Sequence, residues 1–238
     1  MTLYTVGCRY LKPALSIKCK ISHSELQHLQ WSNCCLYDTL FDKILNEVKG
    51  FKVIGECETG EDAIKFCRQT EPNVILMDMD MPGMGGLEAT KKILRIAPES
   101  KIIMLTVHTE DPFPTKVMQI GAAGYLTKGA APNEMVNAIR AVNSGQRYLP
   151  AEIAQKMALS QFKSTDENPF NELSDRELQI MLMITRGEKV PNISEKLYLS
   201  TKTINSYRYR MFEKLAVGND VELTHLAIRH GMINTEKL

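Results

Sequence analysis

One stretch constrains this chain more than any other: Val74-Ile75-Leu76-Met77, four consecutive apolar residues that run directly into Asp78. A run without alternation belongs to a strand buried on both faces, and such strands occur in parallel sheets whose crossover helices cover both sides. The flanking sequence agrees. From residue 51 to 150, short apolar runs alternate with amphipathic stretches, predicting strands at 52–56, 74–78, 101–106 and 124–128. Helices are predicted at 60–69, 87–96, 115–121 and 133–144, most of them ended or followed by Gly or Pro. Leu36, Leu40, Ile44, Leu45 and Val48 recur at helical spacing, so a helix precedes 52–56, and a further strand should precede that helix. Leu29-Gln30-Trp31 makes a poor strand, whereas Leu3 to Val6 can form one. The expected fold class is α/β plus all-α, a doubly wound parallel sheet followed by helices.

Residues 151–161 read as a helix, and 163–169 (KSTDENP) are polar and breaker-rich, as an interdomain linker is. Helices then follow at 174–186, 190–197, 200–215 and 220–230, with turns short enough for a compact bundle. No apolar run approaches the roughly 20 residues of a membrane-spanning helix. Arg9, Lys12, Pro13 and Lys18 interrupt any secretory h-region, so the expectation is a cytoplasmic protein with no membrane contact. Cysteines 8, 19, 34, 35, 57 and 67 form no CxxC pair, which favours unpaired thiols in a reducing compartment over zinc or disulfides. The net charge of +1 hides a local excess: residues 186–214 hold seven Lys/Arg against three Glu, leaving +4. Such a cluster mildly favours nucleic acid as a partner.

Asp78 falls at the carboxyl end of its strand, where ligands bind in doubly wound sheets. Strand 101–106 ends on Thr106 and strand 124–128 on Lys128. A carboxylate, a hydroxyl and an ammonium thus reach one sheet edge, a set suited to phosphoryl transfer. Aspartate accepts the group covalently, Lys128 and Thr106 hold its oxygens, and Mg²⁺ offsets the charge. A lone strand-end Asp is an ordinary cap or turn residue; three such groups on successive strand ends are not. Gly83, Gly85 and Gly86 match neither nucleotide-loop pattern and read as turn glycines.

In the helical part, Ser174 with Glu177 three residues on forms a capping box, and Ile193, Leu197 and Leu199 supply the core of a helix and its tight turn. Ser200 caps the next helix. Two short helices so joined suggest helix-turn-helix. On the second, Ile204, Tyr207, Met211 and Leu215 should pack inward, leaving Lys202, Asn205, Ser206 and Tyr209 outward with Arg208, Arg210 and Lys214 flanking. Asn and Ser can hydrogen-bond base edges, while Lys and Arg neutralise phosphates. Periodicity alone does not separate this from a bundle with a solvated basic face.

The segments LMDMDMPGMGGLEAT, KIIMLTVHTE and GAAGYLTKGAAP resemble the receivers of two-component response regulators. LSDRELQIMLMITRG, ISEKLYLSTKTINSYRYRMFEKL and DVELTHLAIRHG resemble the LuxR-type output domain of the NarL/FixJ regulators, and SGQRYLP adds similarity to the GacA/UvrY group within them. The resemblance, spanning about residues 43 to 233, implies a flavodoxin-like receiver over 36–150, a linker over 151–171 and a helix-turn-helix domain over 172–238. It implies Asp78 as phosphoacceptor, Thr106 as switch hydroxyl, Lys128 as phosphate lysine and Tyr125 as the aromatic that changes rotamer, although core packing is the plainer account of Tyr125. Mg²⁺ would meet Asp78 and the backbone carbonyl of Asp80. Base contacts would come from Asn205, Ser206 and Tyr209, and phosphate contacts from Lys202, Thr203, Arg208 and Lys214. The implied partners are a sensor histidine kinase, promoter double-stranded DNA and a second copy of the chain, the last through Leu223, Leu226 and Ala227 of the final helix. The protein would be a transcription regulator and not an enzyme.

The pattern breaks in residues 1–35, which match nothing. Receivers carry two adjacent acidic residues at the end of the first strand, and counting back from Lys49-Gly50 those positions hold Ser32-Asn33. Glu25 and Asp38 are the other carboxylates to consider. Either metal dependence is lost, or the amino terminus reflects a shifted reading frame or misassigned start, the explanation the abrupt mismatch favours. A phosphorylation-independent DNA-binding regulator with a degenerate receiver is therefore the nearer rival. A hydrolase is the more distant one: no GxSxG elbow occurs, and none of the histidines 23, 28, 108, 225 and 230 lies in a catalytic motif. His108 is expected to be a solvent-facing loop residue.

Overall fold

The structure, a computed structural model, describes residues 2–6, 45, 48–162 and 168–233. Five parallel strands, β1 (Thr2–Val6), β2 (Lys52–Cys57), β3 (Val74–Asp78), β4 (Lys101–Thr106) and β5 (Gly124–Thr127), form one sheet in the order β2-β1-β3-β4-β5. Helices α1 (Gly60–Thr70), α2 (Gly86–Ile96) and α3 (Phe113–Gln119) connect β2 through β5 in turn, and α4 (Pro132–Asn143) follows β5. This is a doubly wound α/β domain, and β3 is buried at every position, as its unbroken apolar run requires. One apolar layer joins β3 and β4 to α1, α2 and α3 through Ile75, Met77, Met104 and Ile93; the other joins them to α4 through Leu76, Ile103, Leu126 and Ile139.

The strand that Leu3 to Val6 can form completes the sheet. β1 lies between β2 and β3, with Leu3 opposite Val74 and Val6 opposite Met77. The boundary drawn at residue 36 is amended accordingly: a strand of the α/β domain comes from residues 2–6. Ser32, Asn33, Glu25 and Asp38 lie outside the described residues, as does most of the helix expected before β2, of which Leu45 is helical and buried. After Val6 the sequence reads Gly7-Cys8 and reaches its first carboxylate at Glu25.

The other expectations hold within a residue or two. The largest offset is α3, predicted from Thr115 but starting at Phe113, because Pro114 sits in the first turn, where its missing N–H costs nothing. Helix α5 (Ala151–Phe162) leads to a short 3₁₀ turn (Pro169–Glu172) and then to α6 (Asp175–Thr185), α7 (Val190–Lys196), α8 (Thr201–Leu215) and α9 (Asp220–Arg229). Both sides of the capping box at Ser174 and Glu177 are formed. No helix among the described residues is long and apolar enough to cross a membrane.

The two domains share one apolar cluster, which continues from Met79, Met81 and Phe113 into Leu178 and Leu182 of α6. Polar contacts fasten the seam. The Gly83 amide donates to the Lys196 carbonyl at 2.9 Å, and Gln179 Nε2 donates to the Met81 carbonyl at 3.0 Å. Arg176 donates to the carbonyls of Gly83 and Leu197, and Lys116 to that of Leu173. The β3–α2 loop therefore rests against the turn of the helix-turn-helix.

Candidate phosphoacceptor site and DNA interface

Asp78 ends β3 beside the point where the strand order reverses, the position at which open α/β sheets bind ligands. Its side chain is almost completely buried. Lys128 Nζ donates to Asp78 Oδ2 at 2.7 Å, and the Asp80 amide donates to Oδ1 at 2.9 Å. Burial pushes the Asp78 carboxyl above the ordinary aspartate range, opposed by the Lys128 ammonium and the Asp80 amide. Gly86 makes this edge possible: a Cβ there would lie 2.2 Å from the Asp78 carbonyl oxygen, so only glycine lets α2 start against the strand end. Gly83 and Gly85 both have positive φ, in keeping with turn glycines.

Thr106 ends β4, one residue past Leu105, which is in register with Asp78. Its hydroxyl is fully buried, accepts from the His108 amide at 3.0 Å and lies 3.6 Å from the Met79 sulfur. The Lys128 amide donates to the Thr106 carbonyl at 2.7 Å, which ties the third strand end to the second. The three residues thus meet at one edge. Tyr125 is fully buried and donates its hydroxyl to the His108 carbonyl; burial raises its phenol far above the ordinary range. In this conformation it is a core residue with a polar tip.

The expectation for His108 fails. The ring is buried, stacks on Phe113 at 4.4 Å, and places Nε2 3.2 Å from Asp80 Oδ2. Arg186, from the far end of α6, joins them: its Nη2 lies 3.1 Å from Asp80 Oδ2 and 3.1 Å from His108 Nε2. Burial alone would raise the Asp80 carboxyl, but His108, Arg186 and Lys128 outweigh it and hold it well below the ordinary range. The Asp80 carboxylate is thus committed across the domain seam, two residues from Asp78. No group of three metal-ligating side chains occurs among the described residues. A divalent cation here would be held by the Asp78 carboxylate and the main-chain carbonyl of Asp80, the lower limit of what Mg²⁺ takes beside phosphate and water oxygens.

The recognition-type helix α8 buries Ile204, Met211 and Leu215 and half-buries Tyr207, as its periodicity predicts. Lys202, Ser206 and Tyr209 are exposed, and Asn205 is half-buried beside them. Thr203 works in the cap: its amide donates to Ser200 Oγ at 3.1 Å. Two expected phosphate ligands have carboxylate partners within the domain. Lys214 Nζ lies 2.7 Å from the buried Glu177 carboxylate, since the capping-box glutamate needs a counter-charge. Arg208 forks onto Asp220 at 3.1 and 2.6 Å. The face expected to mediate dimer contact is also turned inward: Leu223 and Ala227 are fully buried against the domain's own core, because α9 packs on α6. Val221, 63% exposed, lies outside that core.

Comparisons with known proteins agree with the fold. Residues 36–140 match the response regulator receiver domain, and residues 171–227 match the bacterial regulatory proteins of the luxR family. Response regulator UvrY of Escherichia coli K12 is 66% identical over 197 residues, covering 82% of this chain and 90% of that protein. The chain belongs to the LuxR-type response regulators. Response regulator GacA of Pseudomonas aeruginosa is 53% identical over 200 residues, covering 84% of this chain and 94% of that protein. A two-component response regulator of the LuxR family from an Aurantimonas species shares the fold at a TM-score of 0.55 and 25% identity, covering 68% of this chain and 98% of the other. RcsB of Salmonella enterica serovar Typhimurium, bound to the promoter rprA with a phosphomimetic, superposes at a TM-score of 0.62 with 21% identity, over 95% of this chain and 97% of that one. The receiver match starts at residue 36, so strand β1, which lies between β2 and β3, comes from outside it.

Sequence reasoning missed Arg186, which it counted toward the DNA face, and the pairing of Arg208 with Asp220. No periodic signal marks either, because both partners lie on other elements. His108 had a signal: two residues beyond Thr106, it continues the inward alternation of β4.

Proposed function

We propose that Asp78 accepts a phosphoryl group from a sensor histidine kinase and that the added charge loosens the receiver's hold on the helix-turn-helix domain. The observation that carries this reading is Lys128 at 2.7 Å from Asp78 Oδ2, at a sheet edge whose neighbouring loop also grips α6 and α7. In the transfer, an Asp78 oxygen bonds to phosphorus as the bond from phosphorus to the donor imidazole nitrogen breaks, leaving an acyl phosphate and an imidazole that takes up a proton. Lys128, already paired with Asp78, and the Thr106 hydroxyl hold the new oxygens. Mg²⁺, held by Asp78 and the Asp80 carbonyl, would supply counter-charge to them. The acyl phosphate carries about one negative charge more than the carboxylate it replaces, and that charge beside Asp80 works against the arrangement that Arg186 and His108 stabilise.

Released, the domain binds promoter double-stranded DNA through Lys202, Asn205, Ser206 and Tyr209, as a homodimer matched to a two-fold site. The protein acts as a cytoplasmic transcription regulator and not as an enzyme. Incubating the full chain with acetyl phosphate and Mg²⁺ and weighing it intact tests the first step. One phosphoryl group is expected, absent in Asp78→Asn; unmodified mass in both removes the reading. The Gly7-Cys8 sequence after β1 favours a second reading, DNA binding that does not depend on phosphorylation. Band shifts of promoter fragments with and without acetyl phosphate separate the two.

A further inference from the structure

We propose that Asp220 and Arg208 form a relay that positions Asn205 for base reading, so that the start of the last helix sets the specificity of the recognition helix. The inference rests on the DNA-binding reading above. Arg208 is held on three sides. Its Nε and Nη2 donate to the two Asp220 carboxylate oxygens at 3.1 and 2.6 Å, its guanidinium carbon lies 5.6 Å from the Phe212 ring centre, and its Nη1 donates to Asn205 Oδ1 at 3.0 Å. A forked guanidinium–carboxylate pair fixes a plane as well as a charge. A planar cation so fixed dictates which way the neighbouring carboxamide turns.

Guanidinium has donors and no acceptor, so the Asn205 atom that faces it must be the oxygen. Rotation of the carboxamide by half a turn would set amide N–H groups against guanidinium N–H groups, and the pair would repel. The other arm, the NH₂, has no partner among the described residues. Asn205 therefore offers the groove a donor in a defined place, matched by a purine N7, a guanine O6 or a thymine O4. Asp220 also neutralises Arg208, so that residue 208 contributes orientation and not phosphate attraction. Asp220 itself is held at the start of α9, where Asn219 caps the helix and Thr224 Oγ1 donates to the Asp220 carbonyl at 2.7 Å. Arg208 and Asp220 are thus positioning residues, acting on DNA through Asn205.

The test is selection from a duplex library with two helical turns of randomised sequence, using the full-length protein, together with the salt dependence of binding to the selected duplex. Asn205→Ala identifies the base position that Asn205 reads. Arg208→Lys keeps the cation but cannot form the fork, and the double variant Arg208→Ala/Asp220→Ala removes one charge of each sign. Both are expected to lose about tenfold in preference at the Asn205 position and nowhere else. Preference at the positions read by Ser206 and Tyr209 stays, which a general loss of folding would not allow. The slope of log affinity against log salt is expected to be unchanged in both. Selection of the wild-type sequences by Arg208→Lys overturns the relay, and so does a slope about one unit shallower in the double variant, the mark of a lost phosphate contact. If Asn205→Ala itself keeps every preference, the reading on which the relay rests is what fails.

Discussion

Charge is where single residues depart most from their sequence appearance. Of the seven basic side chains between residues 186 and 214, Arg186, Lys196, Arg208 and Lys214 have carboxylate partners, while Lys189, Lys202 and Arg210 have none among the described residues. The count of +4 therefore overstates the field offered to DNA. Lys202→Ala should weaken binding to all duplexes alike and flatten the salt slope by about 0.9, read from band shifts at several salt concentrations. Lys214→Ala should leave that slope alone and lower the thermal stability of the domain by about 1–3 kcal/mol, because it strands the buried Glu177 carboxylate. A flattened slope for Lys214→Ala would return it to the DNA interface. Asp78 and Thr106 were legible because each ends a strand, and Lys128 because it directly follows one; His108 was misread because the residues following β4 look like an ordinary loop.

At the scale of elements, periodicity and caps carried nearly all the information. The apolar run of β3, the Ser174 cap and the Ser200 cap each place a boundary to within a residue. Ser174→Ala should cost about 1 kcal/mol through the lost cap, measured by denaturant unfolding. The same turn sets a pH dependence. Burial would raise the Glu177 carboxyl, but Lys214 and Ser174 more than offset this and hold it below its ordinary 4.5. A carboxyl lowered on folding contributes stability that is present above the unfolded value and lost as pH falls through the folded one. Acid should therefore destabilise the helical domain below pH 4.5, and Glu177→Gln should be weaker at neutral pH and flatter in acid; parallel pH curves for the two proteins would contradict this. In the α/β domain burial pushes the Cys67 thiol up to about 12, so it should resist alkylation at neutral pH until the domain unfolds.

Across the whole molecule the phosphoacceptor edge and the output domain are held together. Arg186 reaches from α6 to Asp80 and His108, and Gly83 and Gln179 bind the β3–α2 loop to the helical domain. If phosphorylation loosens this seam, loosening the seam must favour phosphorylation to the same degree. Arg186→Ala should therefore tighten DNA binding by the unphosphorylated chain, with Asp78 modified more completely at a given acetyl phosphate concentration. Both effects should be about two- to fivefold, because the pair is partly exposed. Band shifts and intact-mass titrations read the two effects separately, and a change in one without the other would show that Arg186 does not couple them.

What the sequence alone determined is the set of elements and the chemistry at their ends: a buried parallel strand delivering Asp78, the strand ends at Thr106 and Lys128, and a capped basic helix bearing Asn205. These follow from spacing over a few residues, since burial of one face and satisfaction of backbone groups are local demands. Tertiary structure decided the rest. It set residues 2–6 between β2 and β3, turned Leu223 and Ala227 inward, set Arg186 on Asp80 and gave Arg208 to Asp220. Each of these depends on which elements pack side by side, and a pattern along the chain holds no record of a neighbour that arrives from elsewhere in it.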